Sequence, residues 1–135
     1  MTSAPRLGYC IVGAGNIGQV HAQALACIPE ARLVTVADVV SDRAVALAAL
    51  YDAAPETDFR EAIRRPDVDV VCVCTPTGGH LEPALAAAAA GKHIVIEKPL
   101  DANLQRADAM LAAADIAGVK TTCVLPYRFA AGSGR

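Results

Sequence analysis

The stretch Leu7–Cys27, "LGYCIVGAGNIGQVHAQALAC", decides the fold. Its first half is a short apolar run of strand type. Its second half reads as an amphipathic helix. Between them Gly13, Gly15 and Gly18 stand in the spacing G-x-G-x-x-G. Glycine is common, so the bare string says little. Directly after a strand and opening a helix, it has the context that a dinucleotide-binding turn requires. Gly13 then permits the tight turn, Gly15 lets the backbone approach a pyrophosphate, and Gly18 lets helix and strand pack closely. The helix start at Asn16 and Ile17 offers unpaired N–H groups and a partial positive charge to phosphates. The competing reading is a glycine-rich turn with no ligand.

Outward from this stretch, apolar runs keep alternating with helical ones. "ARLVTVAD" is a second strand and "SDRAVALAALY" a second helix, with Ser41 as its expected N-cap. A short strand is expected around Glu56–Asp58 and a short helix around Phe59–Arg64. "VDVVCVCTP" and "GHLEPALAAAAAG" follow, then "HIVIEKP" and "ANLQRADAMLAAADIAG", then "VKTTCVL". Gly91 and Gly118 are expected to stop the helices before them. Strands apolar on both faces and separated by helices imply a parallel sheet covered on both sides. Right-handed crossovers then give a doubly wound α/β sheet of Rossmann type, most simply in the order 3-2-1-4-5-6.

With 135 residues, the chain has enough length for one domain with a core and not for two. Its 54% hydrophobic content excludes disorder, and its net charge of −2 leaves no electrostatic footprint for nucleic acid or an anionic membrane. The Ala84–Ala90 tract is too short to span a bilayer and reads as helix. No signal peptide is read at the N-terminus. A cytoplasmic protein with its five cysteines reduced is therefore expected. Cys72 and Cys74 lie two apart on a strand, without a C-x-x-C or histidine cluster. They are read as small core residues, and no metal site is expected.

Asp38 ends the second strand, twenty positions after Gly18. An acid there accepts hydrogen bonds from the adenosine ribose hydroxyls and repels a 2′-phosphate. NAD is thus favoured as cofactor, while the nearby Arg43 leaves NADP open. The competing reading of Asp38 is a loop or helix-capping acid. In open α/β sheets ligands bind beyond the carboxyl ends of the strands. The fourth strand ends in "CTPTGGH" and the fifth in "EKP". Adjacent strand residues face opposite ways, so Glu97 and Lys98 are expected to do different jobs, one anchoring and one reaching the crevice.

Taken together, "GAGNIG", Asp38, "DVDVVCVCTP", His80, "AGKHIVIEKPL" and "YRF" resemble, in order and spacing, the Gfo/Idh/MocA family of glucose–fructose oxidoreductase and inositol dehydrogenase. The resemblance covers about Leu7 to Phe129, and the "EKP" segment is its most specific part. It implies that the glycine turn and Asp38 bind NAD(P). It places Thr75, Pro76 and Thr77 along the pyrophosphate and nicotinamide ribose, and Glu97 and Lys98 near the nicotinamide. His80 matches a family histidine in position; an N-terminal helix residue with no ligand role is the alternative. Lys98 matches the lysine that holds the substrate hydroxyl and assists proton transfer during hydride transfer. That role requires its pKa to fall from about 10.4 towards neutrality. One departure is plain: Thr77, Gly78 and Gly79 follow Thr75-Pro76 where the family commonly has Asn.

The resemblance implies a nucleotide-binding domain over residues 1–129, followed by a flexible tail at 130–135. By the same resemblance, the family's second α/β domain, which supplies most of the substrate pocket, is expected to be missing from these residues. The expected activity is hydride transfer between a nicotinamide cofactor and a sugar, polyol or similar hydroxyl-bearing molecule. Full turnover and the small-molecule substrate are expected only with a second domain or partner chain. The alternative is a stand-alone dinucleotide-binding or regulatory module without catalysis. Uncovered apolar surface is expected to drive self-association into a homo-oligomer.

Overall fold

A computed structural model describes residues 5–125. The "YRF" segment, Tyr127–Phe129, and the expected tail at 130–135 lie outside the described residues. Within them run β1 (Leu7–Val12), α1 (Asn16–Ala26), β2 (Ala31–Ala37), α2 (Ser41–Leu50), β3 (Ala54–Glu56), α3 (Phe59–Ile63), β4 (Val70–Val73), α4 (Leu81–Ala89), β5 (His93–Ile96), α5 (Leu104–Ala117) and β6 (Thr121–Cys123). The six strands form one sheet in the order β3-β2-β1-β4-β5-β6, and every neighbouring pair is parallel. This is the doubly wound Rossmann arrangement expected from the alternation of strand and helix.

The apolar character of both strand faces has a direct cause. Successive side chains point to opposite sides of the sheet. On one side Ile11, Leu33, Val36 and Cys72 pack with Ala22 and Leu25 of α1 and Leu47 of α2. On the other, Cys10, Val71, Val73, Ile94 and Ile96 pack against Ile63 of α3, Ala84, Ala87 and Ala88 of α4 and Met110 of α5. Polar residues on either side of a central strand would leave buried groups without partners. The alanine tract of α4 has its own reason: Ala84, Ala87 and Ala88 are buried, and their small side chains bring that helix close to the sheet.

Helix ends follow local chemistry where a capping group is present. Asp58 caps α3 by accepting from Arg60 N at 2.9 Å, and Asn103 caps α5 by accepting from Arg106 N at 2.9 Å. Gly118 ends α5 in the left-handed conformation with φ 71°. Ser41 does not cap α2; it is the first helical residue, and Val40 holds the cap position without a side-chain bond. The backbone N–H of Val40 donates to Asp38 Oδ1 at 2.8 Å, which fixes the loop before the helix without capping it. The third strand begins two residues earlier than expected and contains Pro55. It is an edge strand, where a missing N–H is tolerated. The fourth and sixth strands are shorter than their apolar runs.

The seat of α1 on β1 is close. A Cβ added at Gly18 would lie 2.0 Å from Gly13 O, a backbone atom that cannot yield. Gly18→Ala is therefore expected to lower stability by about 3 kcal/mol, near the upper end for forced overpacking. Urea unfolding of the variant measures this directly. A shift below about 0.5 kcal/mol, the ordinary size for a neutral surface change, contradicts the packing role.

Candidate functional site

Parallel alignment brings all the strand tips to one edge, together with the N-termini of α1 and α4. At the first tip Gly13 has φ +102°, and its N–H donates to Ala37 O of β2 at 2.8 Å. A side chain there is excluded twice. The φ is left-handed, and a Cβ would come within 2.7 Å of the Cys74 backbone. Gly15 differs. Its φ of −78° and ψ of −163° suit any residue, and an added Cβ would meet nothing within 4 Å. Neither conformation nor packing within the described residues requires glycine at 15. The helix behind it has no side-chain cap and no acid in its first turn, so its terminal N–H groups are free of side-chain partners.

Asp38 stands at the end of β2 and is half-buried. Its Oδ2 accepts from Ala14 N and its Oδ1 from Val40 N, each at 2.8 Å. The loop-and-cap reading of this acid is thus present in the structure. Each carboxylate oxygen has a second lone-pair site, so two acceptor positions remain for hydroxyl groups. A cavity of about 660 Å³ opens beside it, walled by Gly13, Gly15, Asp38, Arg43, Thr75 and Pro76, with Phe59 and Pro83 among its apolar surfaces. Asn16 and Ile17 also line it.

The turn after β4 is held from several sides. Thr75 Oγ1 donates to Gly79 O at 2.9 Å, closing a short 3-10 turn over Thr77–Gly79. Arg106 of α5 donates to Gly78 O at 3.1 Å while its Nε donates to Asp101 at 2.7 Å. His80 is only 1% exposed, and this settles how it is engaged. Its Nε2 is 2.9 Å from Thr75 O and its Nδ1 3.1 Å from Leu100 O. The ring thus lies between the carbonyls of two turns. Thr77 is not among the cavity walls.

The fifth tip lies beyond the cavity, which Glu97 and Lys98 do not line. The strand order explains this. β5 is two places from β1, and strands are spaced about 4.8 Å apart. The two residues differ in exposure. Glu97 is largely enclosed and meets His21 of α1, Oε1 to Nε2 at 2.6 Å, with side-chain exposures of 13% and 14%. Lys98 is exposed. His21 and Arg106 escaped sequence reasoning. For His21 a signal existed: a polar residue three positions after Gly18 on the same helix flank as buried Ala22 and Leu25.

Burial pushes the Cys10 and Cys72 thiols up to about 12, and Cys74 and Cys123 are also raised, mainly by burial. Only the thiolate is nucleophilic, and Cys27 is exposed while Cys10 and Cys72 are buried. Among the described residues no helix is long and apolar enough to cross a membrane. Iodoacetamide at pH 8 is expected to label Cys27 first and to reach Cys10 and Cys72 only on unfolding. Mass spectrometry of the peptides reads this, and early modification of Cys72 contradicts the burial. A raised thiol contributes stability that is present below its unfolded pKa and lost as pH rises through the folded one. Stability is accordingly expected to fall between about pH 9 and 12.

Residues 7–124 match the model of the oxidoreductase family with the NAD-binding Rossmann fold, Gfo/Idh/MocA. Inositol 2-dehydrogenase of Rhizobium meliloti is 43% identical over 104 residues, covering 76% of this chain and 31% of that protein. The WlbA dehydrogenase of Bordetella pertussis, solved in complex with NADH and UDP-GlcNAcA, superposes with a TM-score of 0.89 at 30% identity. It covers 93% of this chain and 39% of that one. GenD2 of gentamicin A biosynthesis, solved with NAD, superposes with a TM-score of 0.91 at 32% identity, covering 97% and 38%. The chain spans between about 30% and 40% of the length of these relatives.

Proposed function

The chain belongs to the Gfo/Idh/MocA oxidoreductase family with its NAD-binding Rossmann fold, and from that premise we propose which residues hold the cofactor and what reaction they serve. The pyrophosphate lies over Gly13 and Gly15, against the N–H groups at Asn16 and Ile17, while Gly18 keeps the helix low on the sheet. Asp38 takes the adenosine ribose. Thr75, Pro76 and Thr77 serve the nicotinamide ribose, with Glu97 and Lys98 at the nicotinamide end. The observation that carries this is Gly15. It is a glycine with no internal reason to be one, at the mouth of the cavity and the free end of α1. A ligand passing close over its backbone supplies the missing reason.

NAD supplies hydride acceptance when bound. The remaining task for the protein is to hold a substrate hydroxyl and take its proton, and Lys98 is the residue assigned to it. The substrate class is a sugar, polyol or related small molecule. An inositol dehydrogenase and a dehydrogenase solved with a nucleotide sugar among the relatives support this class. A proton-accepting lysine needs partial desolvation or a neighbouring cation to lower its pKa. Lys98 is exposed among the described residues, so they do not provide that desolvation. The 135 residues by themselves are therefore proposed to bind dinucleotide without turning over substrate. The same exposure favours the second reading, a dinucleotide-binding module without catalysis.

Calorimetric titration of the chain tests the first part. NADH is expected to bind more tightly than NADPH, because Asp38 repels a 2′-phosphate, and Arg43→Ala is expected to weaken whatever NADPH binding exists. Gly15→Val is expected to weaken NADH at least tenfold with the Tm nearly unchanged. Undiminished NADH affinity in that variant overturns the placement. Adding substrate polyols with NAD to the chain is expected to give no steady turnover, followed at 340 nm. Robust turnover refutes the need for a further wall around Lys98.

A further inference from the structure

From the side chains between α1 and the end of β5, we infer that His21 is a positioning residue for Lys98, acting through Glu97. The inference rests on the placement of Lys98 at the nicotinamide end and adds a residue that neither motif nor spacing assigned to the site. Three observations carry it. Glu97 N donates to Val73 O at 3.1 Å, so the backbone of Glu97 is held by β4. The carboxylate then divides between two partners. Oε1 meets His21 Nε2 at 2.6 Å, and Oε2 accepts from the Lys98 backbone N–H at 3.2 Å. Both His21 and Glu97 are largely shielded from water, where such a contact is strengthened.

The consequence is mechanical and electrostatic. His21 lies three residues after Gly18, on the helix whose N-terminus faces the proposed pyrophosphate. The carboxylate therefore joins the phosphate-binding helix to the backbone of the proposed catalytic lysine. When His21 is protonated the contact is an ion pair, with more negative charge drawn to Oε1. When it is neutral the contact is a hydrogen bond, and Oε2 becomes the better acceptor for the Lys98 N–H. The state of His21 is thus written onto the Lys98 amide.

Among the described residues, the thiols of Cys72 on β4, of Cys74 just beyond it and of Cys123 on β6 feel the Glu97 charge. Burial first, and Glu97 in smaller part, pushes these thiols up, so they stay neutral through pH 5 to 8. The remaining histidines are engaged elsewhere. His80 contacts Thr75 and Leu100, and His93 Nδ1 accepts from Lys120 N at the start of β5.

The test uses the 135-residue chain labelled with ¹⁵N. The Lys98 amide and the His21 ring are followed by NMR across a pH series. Both are expected to move with one shared midpoint, and the Lys98 step is expected to vanish in His21→Gln, in His21→Leu and in Glu97→Gln. His21→Gln keeps a donor without a titrating ring, so it serves if the leucine variant does not fold. A Lys98 amide that ignores the His21 titration, or a step that survives these substitutions, overturns the inference. Calorimetry adds a second reading. In His21→Leu, NADH is expected to bind about fivefold more weakly while ADP, which lacks the nicotinamide half, is unaffected. Equal losses for both ligands reduce His21 to a structural residue and overturn the positioning role. Wild-type chain that binds neither ligand defeats the cofactor placement, and the NMR titration still decides the coupling.

Discussion

The close contact between α1 and β1 at Gly18 is the constraint on which the rest depends. A side chain there would strike Gly13 O at 2.0 Å. With only hydrogen at that position, the helix lies low on the sheet. Its uncapped N-terminus then opens at the same edge as the tips of β1 and β2, and the cavity forms between them. The contact also brings His21, further along the same helix, to the end of β5. Raising α1 by the width of one methyl group would uncouple both its free N-terminal end and the Glu97 contact.

Around that seat the turns are tied to each other by side chains rather than by packing alone. Asp38 joins the glycine turn to the β2–α2 loop, and His80 joins the turn after β4 to Leu100. Arg106, steadied by Asp101, reaches Gly78 from α5. Hydrogen bonds to charged groups contribute roughly 1.5–3 kcal/mol each. Distributed over the edge, such ties hold a frame in place before any ligand arrives, which lowers the ordering that binding would demand. Lys98 is the exception. Its backbone is held by Glu97 while its side chain stands in water.

A good part of this was legible beforehand. The strand order, the parallel pairing and the glycine turn follow from residue period and glycine spacing, because these are local rules repeated along the chain. Asp38 was legible as the acid after β2. Its two backbone donors were not, since one comes from the glycine turn 24 residues away. The capping role given to Ser41 failed because the helix starts one residue earlier: Arg43 N and Ala44 N turn back to Val40 O, and Ser41 is already helical. His80 was legible as a residue of the site edge. Its burial and its two carbonyl partners depended on how the β5–α5 loop folds back.

What the sequence determined by itself is therefore the set of elements, their order in the sheet and the edge on which the glycine turn and Asp38 meet. Each of these follows from side-chain period, glycine conformation and helix termini, which act over a few residues. What only the tertiary structure decided is which side chains meet across that edge. His21 and Glu97 are 76 positions apart, and Arg106 and Gly78 are 28. No local pattern encodes such pairs, because the distance between them is set by how low one helix sits and how far one loop turns.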